Sequence, residues 1–166
     1  ECYGKNDELL ERTFPGRFSP LEKHTLSVAK EEAYQAAFKA HLQLLPGLQD
    51  FLEDAHQQGI KMAVGSAAIR MNIDFVLDGL GIRHYIDAIV SADDVSLSKP
   101  NPETFLKAAE MLQIAPENCI VFEDSASGIQ AAIDGKMFAV GIGTQNDLPL
   151  ANYCIPNLGA FDFNTI

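Results

Sequence analysis

From Gly47 onward, short apolar runs alternate with segments of helical periodicity, and this alternation limits the fold more than any other feature of the chain. Helical spacing covers about Leu48–Gln58, Met71–Leu80, Pro102–Leu112 and Ala126–Ile133. Between and after them lie Ile60–Gly65, Ala88–Val90, Cys119–Phe122 and Phe138–Ile142, with a weaker run at Tyr153–Ile155. Gly59 and Gly81 fall where two of the helices should end, and Pro102 falls where another should begin and its missing N–H costs nothing. A strand–helix–strand series of this kind predicts an α/β fold, a doubly wound parallel sheet covered on both faces, over residues 46–166.

Residues 1–45 read differently, as a helical appendage. Leu9, Leu10 and Phe14 form an apolar group that Pro15-Gly16 interrupts, and a second helix is expected from near Pro20 to Leu44. Its apolar positions Val28, Tyr34, Ala37, Phe38 and Leu42 recur at helical spacing, so it is expected to be amphipathic. Pro46-Gly47 separates it from the alternating region, and no internal repeat is visible.

Composition narrows the class of partner. With 166 residues the chain suffices for one domain with a real core and a small appendage. The net charge of −11 argues against nucleic acid and anionic membrane as partners, because both favour basic patches. A phosphorylated ligand in so acidic a protein needs local cations, metal or lysine. Cys2, Cys119 and Cys154 show no metal-ligand spacing and read as reduced thiols of a cytoplasmic protein, expected to be a monomer. The chain opens on Glu1 rather than Met, from which a missing front segment is expected.

Three polar signals follow one another where apolar runs end: Ser66 in Gly65-Ser66-Ala67-Ala68, Lys99 in Ser98-Lys99-Pro100-Asn101-Pro102, and Glu123-Asp124 after Val121-Phe122. In a doubly wound sheet the ligand crevice lies beyond the carboxyl ends of the strands, which places Ser66 and the carboxylates on one edge. A hydroxyl, an ammonium and two carboxylates suit magnesium-dependent phosphoryl transfer: the hydroxyl and nearby N–H groups of Ala67 and Ala68 hold phosphate oxygens, the lysine offsets charge, and the carboxylates hold metal. Each has a plainer reading. Ser66 could cap the next helix, Lys99 could be a solvated lysine, and Glu123-Asp124-Ser125 could be a strand-end turn whose Asp124 or Ser125 caps a helix. Gly128 suggests close approach of another backbone. Arg70 and Tyr34 are read as surface and packing residues, and the four histidines share no spacing. Gly141-Ile142-Gly143 lacks the fuller dinucleotide pattern, so no nicotinamide or flavin site is expected.

From Leu45 to about Asp147 these segments resemble the haloacid-dehalogenase superfamily of phosphatases and phosphomutases. The likeness rests on Gly65-Ser66-Ala67-Ala68, on Ser98-Lys99-Pro100-Asn101-Pro102, and on Phe122-Glu123-Asp124-Ser125-Ala126-Ser127-Gly128-Ile129-Gln130-Ala131-Ala132. It is strongest toward the branch of beta-phosphoglucomutase and sugar-phosphate phosphatases, which carry a small helical cap. The resemblance implies a Rossmann-like core at 46–166 and a partial cap at 1–45. It implies that Ser66 and Ala67 bind the transferring phosphoryl group, Lys99 stabilises its charge, and Asp124 with Glu123 holds Mg2+. Asn72 and Lys30 would contact substrate, a small phosphorylated metabolite.

Two departures from the family pattern stand out. No apolar strand ending in Asp-x-Asp-Gly precedes Ser66, so the nucleophilic aspartate and the first core strand are expected to lie outside the chain, leaving unpaired strand edges and an inactive fragment. Asp7 stands where the mutase cap carries an arginine, which favours a phosphatase over a mutase. Two other classes fit part of the pattern: a receiver-like phospho-switch, whose acidic pair would precede its hydroxyl, and a family member that binds a phosphometabolite without catalysis.

Overall fold

β1 (Ala63–Gly65) and β2 (Ala88–Val90) pair in parallel, with Ala63 opposite Ala88 and Gly65 opposite Val90. β3 (Ile120–Glu123), β4 (Phe138–Ile142) and β5 (Tyr153–Ile155) form a second parallel sheet in that order. The structure, a computed structural model, describes residues 6–163, with side chains from Leu10 onward. Cys2 lies outside the described residues, as do the side chains of Asp7 and Leu9.

The parallel α/β class is as the sequence predicts, but the sheet is in two pieces. Among the described residues β1 pairs only with β2, and β3 only with β4, so one edge of each is open. An apolar cavity of about 740 Å³ touches both strands, through Ala63, Val64 and Gly65 on one side and Ile120, Val121 and Phe122 on the other. Phe51 and Leu52 from α3 (Leu48–Gln57) and Phe105 and Ala109 from α5 (Glu103–Leu112) complete its wall.

The helices of the alternating region bury apolar residues of their predicted faces. In α5, Phe105, Ala108, Ala109 and Leu112 are buried, at i, i+3, i+4 and i+7. α6 (Ala126–Asp134) buries Ile129, Ala131 and Ala132 against β4. α4 (Arg70–Gly79) buries Ile73 and Leu77 beside Leu52 of α3. Across β4 and β5 the core ends in an edge-to-face aromatic group, with Phe51 4.9 Å from Phe122 and Phe122 4.8 Å from Phe161.

Three local expectations are corrected. β1 is shorter than Ile60–Gly65, because Gly59 turns at φ +69° and Ile60 N–H returns to Ala55 C=O. Met62 then meets Asp87 by side chain and backbone rather than by a ladder of its own. The second helix, α2 (Pro20–Phe38), follows α1 (Asn6–Thr13) and stops at a 3₁₀ turn, Lys39–His41, short of Leu44. It is also not packed along an apolar stripe: Tyr34 and Phe38 stack on each other, both exposed, and the buried residue of α2 is Glu31. Its start is fixed locally, since Ser19 Oγ accepts from Glu22 N–H and the Glu22 carboxylate accepts from Ser19 N–H.

Candidate active site

The loop after β1 carries the first group of candidates. Ser66 N–H donates to Val90 C=O, continuing the β1–β2 ladder by one residue. Its hydroxyl oxygen accepts from Ala68 N–H at 3.0 Å, which leaves the hydroxyl hydrogen available to a ligand oxygen. Ser66 is not the cap of the next helix: α4 begins at Arg70, and its first N–H is taken by the Asp93 carboxylate at 2.9 Å. Among the described residues, Ala67 N–H makes no hydrogen bond and Ala67 is exposed, whereas the Ala68 amide is spent on Ser66.

Lys99 joins the two sheets. Its ammonium donates to Gly65 C=O at 3.4 Å, at the end of β1, and to Glu123 Oε2 at 2.7 Å, at the end of β3. It also lies 4.8 Å from the centre of the Phe105 ring. With side chains 13% and 10% exposed, Lys99 and Glu123 are a sheltered pair rather than a solvated one. The carboxyl ends of β1 and β3 therefore face one another across a single cation.

Glu123 spends its other oxygen on Ser125, whose N–H and hydroxyl both donate to Oε1. Burial raises its pKa and is the largest single influence, but Lys99 and Ser125 together outweigh it, so Glu123 ionises below its ordinary range. Ser125, rather than Asp124, caps α6, through its Oγ and Gly128 N–H at 3.0 Å. Gly128 is required by a side chain and not by a second backbone: a Cβ there would overlap the Glu123 carboxyl group.

A second group lines a cleft of about 860 Å³ between α2 and the loop after β1. Ser66, Ala67, Ala68 and Asn72 form its core side, and His24, Lys30, Glu31 and Tyr34 its α2 side. Asn72 is committed to α2: its Nδ2 donates to Glu31 Oε2, and its Oδ1 accepts from Gln35 Nε2 at 3.0 Å. Lys30 pairs with Glu31 at 2.8 Å and keeps 60% of its side chain exposed. Arg70 pairs with Asp74 one turn on, on the exposed surface. Lys99, Glu123 and Asp124 do not belong to this lining, so the candidates fall into two groups that meet at Gly65 and Ser66.

The donor set fits a hard cation only in part. Asp124 is exposed and, among the described residues, has no hydrogen-bond or charge partner, so its carboxylate is open. The Glu123 carboxylate is not, since Lys99 and Ser125 occupy it. No cluster of three or more His, Cys, Asp or Glu occurs among the described residues. Magnesium is commonly held by one or two carboxylates with water and phosphate, so Asp124 fits as one ligand of a set completed from elsewhere.

The residue list derived from sequence omits Glu31, Asp93, Glu103 and Phe105, all of which touch this framework. Glu103 carries the one legible signal, an acid in the first turn of a helix just after proline. Cys119 and Cys154 are free thiols, and no helix among the described residues is long and apolar enough to cross a membrane.

Comparison with known proteins follows the same lines. The sequence pattern of haloacid dehalogenase-like hydrolases matches residues 3–135. Fructose-1-phosphate phosphatase YqaB of Escherichia coli strain K12 is 39% identical over 122 residues, 74% of this chain and 64% of that protein. Beta-phosphoglucomutase of Bacillus subtilis strain 168 is 34% identical over 129 residues, 76% of this chain and 56% of that protein. Among solved structures, beta-phosphoglucomutase from Clostridium difficile aligns at a TM-score of 0.85 and 32% identity, covering 96% of this chain and 74% of that one. The chain thus spans less than two thirds of the length of these two curated relatives. With the pattern running from the helical segment through α6, the chain belongs to the haloacid dehalogenase-like hydrolase family.

Proposed function

We propose that this chain supplies the phosphate-holding half of a magnesium-dependent phosphoryl-transfer site for a small phosphorylated metabolite, a sugar phosphate. One observation carries the reading: the Lys99 ammonium is shared between the C=O of Gly65, the residue before Ser66, and the carboxylate of Glu123, the residue before Asp124. Relatives named as a fructose-1-phosphate phosphatase and a beta-phosphoglucomutase support the substrate class.

In this reading the Ser66 hydroxyl and the Ala67 N–H donate to oxygens of the phosphoryl group. Lys99 faces the charge that develops there, and Glu123 holds the ammonium in place from the opposite sheet. Asp124 is the metal carboxylate of this chain, and a bound Mg2+ would neutralise phosphate charge. Glu123, first expected as a second ligand, acts through Lys99 instead.

The attacking carboxylate, an aspartate forming an aspartyl phosphate, lies on a strand not contained in these 166 residues. The apolar cavity between the open edges of β1 and β3 is where such a strand fits, in parallel with both. α2 serves as part of a cap over the cleft, which excludes water and contacts substrate through Lys30. The assembled protein works as a cytoplasmic monomer, and these residues alone are inactive.

With the nucleophile strand supplied, beta-glucose 1-phosphate and Mg2+ are followed by phosphorus NMR with a trace of the 1,6-bisphosphate. Inorganic phosphate indicates a phosphatase, and accumulating glucose 6-phosphate a mutase. Turnover of neither this substrate nor fructose 1-phosphate contradicts the proposal and favours a ligand-binding protein without catalysis.

A further inference from the structure

The loop that carries Lys99 is tied at both ends to a single turn of α5. Upstream of the lysine, the Glu103 carboxylate accepts from Ser96 N–H at 3.0 Å and from Leu97 N–H at 2.8 Å. Within the loop, Asn101 N–H donates to Ser98 C=O, and Asn101 Oδ1 accepts from the backbone N–H of Glu103. Beyond the lysine, the Phe105 ring lies against its ammonium. The same turn fixes the other contact of Lys99, because Phe105 and Thr104 pack on Gly65 so closely that a Cβ there would meet them at 3.0–3.2 Å. Lys107, one turn further along α5, pairs with Glu103 at 2.8 Å and donates to Asp94 C=O at 2.6 Å, closing the network around residues 94–97.

An acid in the first turn of a helix commonly does no more than face the helix N-terminus. Here the carboxylate oxygens are aimed at two amides of a different segment, both within three residues of Lys99. Hydrogen bonding by Lys107 first, then by Ser96 and Leu97, holds the Glu103 carboxyl down to about 2, so it is an acceptor throughout the neutral range.

We propose that Glu103 is a positioning residue for Lys99: by holding the Ser96 and Leu97 amides it fixes the loop so that the ammonium stays between Gly65, Glu123 and the Phe105 ring. It touches no ligand and acts through the backbone. The importance of this placement rests on the reading of Lys99 as the phosphate-facing cation; the placement itself does not.

The test is NMR of the lysine side chains in the full chain, with the Lys99 signals assigned through Lys99→Arg. In the wild type, the Hε protons of Lys99 shift upfield from the exposed lysines because of the Phe105 ring, and show NOEs to it. Glu103→Ala is expected to return them to the exposed-lysine position and remove the NOEs while the sheet amides keep their shifts. Glu103→Gln keeps one acceptor oxygen and replaces the other by an NH2 group, so it gives an intermediate displacement. If Glu103→Ala does not fold, the Glu103→Gln result decides. Lys99 signals unchanged in the folded variants overturn the proposal. Adding inorganic phosphate and Mg2+ to the protein that carries the nucleophile strand tests the functional reading separately. Lys99 signals that ignore phosphate yet respond to Glu103→Ala defeat that reading alone.

Discussion

Gly128→Ala is the substitution that most sharply separates two forces acting on one atom. Gly128 lies in the first turn of α6, where alanine is intrinsically favoured by at most about 1 kcal/mol. The new Cβ, however, overlaps the carboxyl group of Glu123. That side chain is only 10% exposed and can leave only by abandoning Lys99 and Ser125. Stranding one member of a sheltered ion pair costs about 3–5 kcal/mol. Because displaced Glu123 regains water, and alanine returns part of the helix preference, the expected net loss is about 2 kcal/mol. For a chain of this size that is a fall in Tm of about 4–8 °C. The assay is urea and thermal unfolding of four proteins: wild type, Gly128→Ala, Glu123→Ala, and the double variant. Without the Glu123 carboxyl there is nothing for the alanine methyl to strike, so Gly128→Ala should be neutral or stabilising by up to about 1 kcal/mol in that background, a coupling of about 2–3 kcal/mol. An equal cost in both backgrounds refutes the reasoning, as does a Gly128→Ala protein more stable than wild type.

Two further outcomes follow from the polar network. The Glu103 carboxyl sits near 2 in the fold against an ordinary 4.5, so the stability it confers is complete above 4.5 and is lost as pH falls toward 2. The stability gap between wild type and Glu103→Gln, measured by urea unfolding, should therefore be widest at neutral pH and shrink as pH falls from about 4.5 toward about 2; a gap independent of pH contradicts this. Asn72→Ala removes a donor from the buried Glu31 carboxylate and the acceptor for Gln35, at a cost of about 1–3 kcal/mol. Limited proteolysis should then cut the segment between Pro20 and Leu45 faster while α5 and α6 stay protected, and unchanged cutting means the bridge does not hold α2.

The elements legible in the sequence were those whose residues speak for themselves. β2, β4 and β5 lie where their apolar runs lie, since a buried parallel strand needs little beyond a short apolar run between turns. β1 was overestimated because Ile60 and Met62 are apolar enough for a strand, while the local turn at Gly59 carries Ile60 back to Ala55 and the pull of Asp87 comes from a residue distant in sequence. α2 misled for a physical reason: an apolar spacing says which residues share a face, not whether anything covers that face. Val28, Tyr34 and Phe38 are placed as their spacing implies, yet the residue that is buried is Glu31. In the site, the positions of Ser66 and Glu123 at one edge were legible from strand ends alone, whereas Lys99, on the loop before α5, was not placed by them. Their partners were not legible. Nothing in Glu123-Asp124 distinguishes the carboxylate that takes Lys99 from the one left open, and nothing near Asn72 points to a glutamate 41 residues earlier. Those choices are made by the distance between sheets and by the direction of side chains at the ends of β3 and α4, which a linear pattern does not encode.

The central claim is that a cation held between the ends of β1 and β3 faces the phosphoryl group. The most direct measurement is turnover of beta-glucose 1-phosphate, followed by phosphorus NMR at saturating Mg2+, in the protein that carries the nucleophile strand, with and without Lys99→Met. Methionine keeps much of the length and apolar contact of the side chain on Phe105 and removes the charge. The account predicts that turnover falls by about 10²–10³-fold or more, the scale of losing one preorganised electrostatic contact in a water-excluding site. Turnover at the wild-type rate in a folded Lys99→Met protein would contradict it and would reduce Lys99 to a structural tie between the two sheets.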